Sequence, residues 1–159
     1  MITHYRVDQR VIHGQTVTCL MVRHPCDGIL IIDDEIAGDQ FLASVFKGVV
    51  PSNIRVLPMT VEKALVKLPE AEASAKNYFI VFKHLDAVGR LIDKGYTFKS
   101  QLTIGIQHAR PGTKLVDSGL CLTDDEIALV DRLISSGVKI IVHPRVMQKE
   151  KSWNDVKPK

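Results

Sequence analysis

The sequence predicts an α/β fold: one domain, doubly wound, with a mainly parallel open sheet and helices on both faces. Three observations predict it. Short apolar runs alternate with stretches of helical periodicity along the whole chain. The runs are rich in Ile, Val and Leu without strict alternation, as in strands covered on both faces. The length of 159 residues suits one well-cored domain rather than two.

The elements follow in order. A strand is expected over residues 2–6, then a polar loop, then a helix on which Val17, Leu20 and Met21 share one face. The next strand, 28–33, runs into an acidic segment from Asp33 to Asp39, in which Asp39 is placed to cap a following helix. A third strand over 54–57 precedes a helix with Val61, Ala64, Leu65 and Leu68 on one stripe. The strand at 78–82 leads to a helix carrying Val88, Leu91 and Ile92, which Gly95 should end. After a strand at 102–106 comes the clearest helix, 124–136. There Thr123 and Glu126 have capping-box spacing, Ile127, Val130, Leu133 and Ile134 form the stripe, and Gly137 suits a left-handed terminus. A last strand is expected over 138–143, followed by a Lys-rich tail from about residue 148, read as a solvated terminus unless Trp153 anchors it.

Composition excludes several classes. A hydrophobic content of 45% and a charged content of 25% are ordinary for a globular domain. The longest apolar runs are far shorter than the ~20 residues a membrane-crossing helix needs. The first residues lack the basic, apolar and small-residue regions of a secretory leader, so a cytoplasmic location is expected. Cys19, Cys26 and Cys121 have no Cys-x-x-Cys spacing and suit reduced thiols. The net charge of +3 is spread without aromatic interleaving, so no nucleic-acid partner is expected. His4, His24 and His143 show no metal-ligand pairing, and no metal site is expected.

On a doubly wound sheet, ligands collect beyond the carboxyl ends of the strands, near the switch in strand order. That edge would carry the densest chemical cluster of the chain, Arg6-Val7-Asp8-Gln9-Arg10-Val11-Ile12-His13-Gly14-Gln15. Guanidinium groups bind phosphate oxygens in a planar, bidentate manner, and a helix start adds free N–H donors. A neutral imidazole is a nucleophile, and the rest of phosphoryl transfer is largely positioning and charge stabilisation. His13 would then be the nucleophile, with Arg10 and Arg6 supplying positive charge. Asp8 would orient the ring or hold an arginine, and Gly14 would let the backbone approach a bound phosphoryl group. Alternatively, Arg6 and Arg10 pair with Asp8 on the surface while His13 merely starts a helix. The cluster is neither a Gly-x-x-x-x-Gly-Lys-Ser/Thr phosphate loop nor a Gly-x-Gly-x-x-Gly turn.

This ten-residue string resembles the signature of the mannose/fructose/sorbose-family IIB subunits of the bacterial phosphotransferase system. The resemblance extends to the acidic segment Ile31-Ile32-Asp33-Asp34-Glu35-Ile36-Ala37-Gly38-Asp39 and to most of the chain, making residues 1–159 a single IIB-type domain. In the segment from Thr103 to Gly112, Gly105, His108 and Gly112 fit the family's usual Asn-Val-Gly-x-Met-His-like loop, whereas Thr103 and Gln107 depart from it. The resemblance implies that His13 is the phosphorylated residue, with Arg6, Asp8, Arg10, Gly14 and Gln15 at the other signature positions. It implies a relay from a phosphohistidine on a IIA protein or domain, through His13, to a sugar held by membrane subunits IIC and IID. No cofactor is needed, because the N–P bond of the donor is already labile.

The chain offers further candidates. Asp33, Asp34 and Glu35 resemble the acid pocket of a receiver domain, which can bind Mg²⁺, but suit the start of a helix better. His108 and the Lys83-His84 pair follow strand ends on the same edge, where they either line the phosphate site or lie on the surface. The rivals to a phosphocarrier are a module that binds phosphate or a nucleotide without covalent chemistry, and a regulatory scaffold on the same fold. The carrier predicts a shallow site with His13 reachable from solvent, since two partners must meet it in turn.

Overall fold

The computed structural model describes residues 1–159. All six expected strands are present, as β1 (Ile2–Val7), β2 (Gly28–Ile32), β3 (Arg55–Met59), β4 (Tyr78–Phe82), β5 (Leu102–Ile104) and β8 (Ile140–Val142). They pair in parallel in the order β3-β2-β4-β1-β5-β8, and β9 (Lys151–Ser152) closes the far edge antiparallel to β8. The chain leaves β1 toward β2 on one side, and the link from β4 to β5 crosses to the other. The carboxyl end of β1 is therefore a switch point, with β4 and β5 as its flanks.

Side-chain alternation divides β1 between two cores. Tyr5 and Val7 join the larger core beneath α4 (Val61–Ala73), α5 (Leu85–Asp93) and α6 (Asp124–Ser135). The opposite face of the sheet, with Ile29, Ile31, Phe79 and Val81, is covered by α1 (residues 16–23), α2 (Asp34–Gly38) and α3 (Gln40–Val49). The first helix, α1, is π-wound over Thr16–Leu20 and α-wound over Met21–Arg23. The predicted capping box of α6 is formed, and Gly95 and Gly137 take the left-handed conformation after α5 and α6.

Two features depart from expectation. A separate antiparallel hairpin, β6 (Thr113–Asp117) and β7 (Leu120–Thr123), turns at Gly119 with φ +84°. The tail is docked rather than solvated: Trp153, in α7 (Trp153–Val156), is buried in the larger core and donates its indole N–H to Asp131 at 2.9 Å. An aromatic ring with a satisfied polar tip outweighs the entropy of a short charged tail. No helix is long and apolar enough to cross a membrane.

Candidate active site

At the end of β1 the chain is gripped from both sides. The Asp8 N–H donates to the Phe82 carbonyl and the Gln9 N–H to the Ile106 carbonyl, each at 2.9 Å. The loop then turns sharply at Val11, whose φ of 61° is costly for a β-branched residue. Burial of Val11 and Ile12 in the second core offsets that strain. The consequence is that His13 folds back over Asp8.

Asp8 is the hub. Its carboxylate is fully buried, at 0% exposure. One oxygen, Oδ1, accepts from the Arg10 backbone N–H at 3.0 Å and from Arg10 Nε at 3.2 Å. The other, Oδ2, accepts from Arg6 Nε at 3.1 Å, Arg6 Nη2 at 3.0 Å and Arg10 Nη2 at 3.3 Å. The Nε2 of His13 lies 3.7 Å from Oδ2 and has no hydrogen-bond partner, so this is an electrostatic contact that a small closure would turn into a hydrogen bond. Burial pushes the Asp8 carboxyl up, but contact with His13 and the two guanidinium groups outweighs it and holds the acid far below the usual carboxylate range.

The predicted residues divide by accessibility. His13 is 17% exposed and the Arg10 side chain 30%, with Gly14 exposed beside them. Arg6 does not face solvent: at 1% exposure it lies on β1, pairs with Asp8, and donates through Nη2 to the His143 carbonyl at 3.0 Å. It acts from below, through Asp8. Gln15 is half-buried at the start of α1 with no side-chain cap, and the exposed His108 sits near the loop because its backbone N–H donates to Gln9 Oε1 at 2.8 Å. The acidic segment serves structure: Asp33 Oδ1 accepts from the Ile36 N–H at 2.9 Å, and Asp34 accepts from the Val61 N–H and pairs with Arg90, both at 2.8 Å. No three His, Cys, Asp or Glu side chains converge closely enough to hold a metal ion.

Two further residues take their role at the site from the fold. Thr16 accepts from the His13 N–H through Oγ1 at 3.1 Å and returns its own N–H to the His13 carbonyl at 2.9 Å, locking the backbone under the imidazole. The π-winding begins at that residue, a distortion frequent at functional sites. Gly105 is the other. A Cβ there would stand 2.6 Å from Arg6 Nη2 and 2.7 Å from Asp8 Oδ2, so only glycine lets the buried ion pair close.

The class defined by this fold and site is a doubly wound α/β protein presenting one imidazole over a buried carboxylate and two arginines at its sheet switch point. The family model for the PTS system sorbose subfamily IIB component matches residues 2–158, and the chain belongs to that family of phosphotransferase components in sugar transport. It is 28% identical over 138 residues to a fructose-specific EIIB component of Bacillus subtilis, covering 85% of this chain and 82% of that one. To a mannose-specific EIIAB component of Escherichia coli it is 23% identical over 137 residues, 86% of this chain and 42% of the other. Among solved structures, manxB from Thermoanaerobacter tengcongensis superposes with a TM-score of 0.87 at 27% identity, covering 98% and 94% of the two chains. The IIBSor domain of the sorbose permease from Klebsiella pneumoniae has the same fold, with a TM-score of 0.87 at 24% identity over 98% and 94%.

Proposed function

We propose that His13 carries a phosphoryl group from a IIA phosphohistidine to a hexose-type sugar held by membrane subunits IIC and IID, at the cytoplasmic face of the membrane. The observation that carries this is the orientation of the ring. With Nε2 turned to a buried carboxylate, the favoured neutral tautomer bears its proton there, and Nδ1 keeps the lone pair. In the first step Nδ1 attacks phosphorus and the N–P bond of the donor breaks. Asp8 then stabilises the positive charge the ring acquires. In the second step a sugar hydroxyl takes the phosphoryl group and Nδ1 recovers its lone pair.

Charge in the cluster favours an arriving anion. Two guanidinium groups face one carboxylate, leaving one positive charge in excess beneath His13. Arg10, partly exposed, is the cation free to turn toward phosphoryl oxygens while Arg6 keeps Asp8 neutralised. The IIA donor is inferred from family membership and from the mannose relative, whose name joins A and B parts in one component.

The test is incubation with phosphoenolpyruvate, enzyme I, the carrier HPr and a cognate IIA, followed by intact-mass analysis. Wild type should gain one acid-labile phosphoryl group and His13→Gln none. No addition to wild type with a competent donor would sink the carrier reading and leave non-covalent phosphate or nucleotide binding in its place.

A further inference from the structure

We propose that His84 is the general base for the second transfer, taking the proton of the sugar hydroxyl as that oxygen attacks the phosphoryl group on His13, and that Gln107 holds it in the required tautomer. The inference rests on the phosphocarrier reading and adds to it a residue outside the ten-residue cluster.

The Gln107 side chain is fully buried, on the loop after β5, and every polar atom of its amide is used. Its Nε2 donates to the carbonyls of Lys83 and Ile106, both at 2.9 Å. Since two carbonyls can only accept, the amide orientation is settled, and Oε1 is the atom that faces His84 Nδ1 at 3.0 Å. Nδ1 therefore carries the proton and Nε2 keeps the lone pair. The Gln107 backbone is anchored as well: its N–H donates to the Gly119 carbonyl at 3.1 Å, and its carbonyl accepts from the Cys121 N–H at 2.8 Å. This glutamine has no freedom to turn away.

A structural role explains His84 poorly. It occupies the N-cap of α5, where Ser, Thr, Asp or Asn is favoured, and its ring makes no cap hydrogen bond. The ring is instead aimed across the carboxyl edge and remains partly exposed. That edge is the one His13 occupies. The Asp8 backbone N–H donates to the carbonyl of Phe82 at 2.9 Å, so the loop bearing His13 leaves β1 level with Phe82, and His84 follows two residues later, just past the end of β4, the neighbouring strand.

The two transfers differ in their need for a base. In the first, a ring nitrogen with a free lone pair attacks phosphorus and no proton need be removed. In the second, a hydroxyl oxygen attacks, an O–P bond forms, the P–N bond to His13 breaks with its electron pair returning to nitrogen, and the hydroxyl proton must go elsewhere. His84 Nε2 accepts it, becoming an imidazolium that later loses the proton to solvent. A base of this kind contributes typically 10²–10⁴-fold.

The experiment measures the two steps separately, with membranes bearing the cognate IIC and IID and with labelled fructose, sorbose, mannose and N-acetylgalactosamine as acceptors. His84→Asn, which can cap α5, should be charged by phospho-IIA within about twofold of wild type yet discharge to sugar at least 30-fold more slowly, short of the full range for a general base. Free imidazole should restore discharge in His84→Ala. Gln107→Met should slow discharge less, and nitrogen NMR should show the His84 Nδ1–H tautomer in wild type and a mixture in that variant. Normal discharge by His84→Asn overturns the proposal, as does equal slowing of both steps or the opposite tautomer in wild type. Failure of wild type to be charged at all overturns the underlying carrier reading instead.

Discussion

Acid should loosen this fold through His4, a residue with no part in the transfer. His4 lies on β1, buried, with its ring stacked on His24 at a centroid distance of 3.9 Å and an interplanar angle of 17°, and Phe79 beside both. Its Nε2 is buried without a partner. Burial, followed by the charges of His24, Arg6 and His143, lowers its pKa from 6.5 to about 2. His4 is thus neutral in the folded chain but protonated in the unfolded chain below pH 6.5. The stability it contributes is complete above that pH and is lost progressively as the pH falls toward 2. Each pH unit corresponds to about 1.4 kcal/mol, so acidification from pH 6.5 to 4.5 should cost about 2 to 3 kcal/mol through this residue alone. Burial, as the largest cause, lowers the His24 pKa too, so His24 acts with the same sign. The assay is urea unfolding at several pH values for wild type and His4→Phe, which keeps an aromatic ring against His24 and Phe79. The difference between the two should narrow or reverse with acidification. Parallel losses of stability over that interval would refute the reasoning.

Two further outcomes test the packing that supports the site and the tail. Gly105→Ala places a methyl group against Arg6 and Asp8 and should destabilise the fold by about 1 to 3 kcal/mol, with slower phosphoryl uptake by His13; an unchanged melting temperature would show that the ion pair has room to move. Trp153→Ala removes a buried indole and its bond to Asp131, and should cost about 3 to 5 kcal/mol in thermal or urea unfolding while leaving charging of His13 intact at low temperature.

The ten residues from Arg6 to Gln15 are contiguous, so the chemistry proposed for them is legible in the sequence. The parallel sheet is equally legible, because β2, β4 and β8 are continuous apolar runs that two-sided burial explains. The hairpin is hard to read from sequence because β6 is mostly polar and only half-buried, leaving the turn at Ser118-Gly119 as its one local signal. The edge strand β9 is two polar residues long, as an exposed edge tends to be, and carries no hydrophobic pattern.

By itself the sequence brought together the candidate reactive groups, since the proposed nucleophile, carboxylate and cations lie within one run of ten residues. Their division of labour was decided by tertiary structure. Arg6 looks like Arg10 in the sequence, yet alternation along β1 turns it inward beneath Asp8, while Arg10, past the strand end, keeps one face in solvent. Gly105, Gln107 and His84 join the site only because β4 and β5 flank β1 in the sheet. Hydrogen bonds and steric limits between strands depend on strand order, and strand order follows from burial summed over the whole chain rather than from any local run of residues.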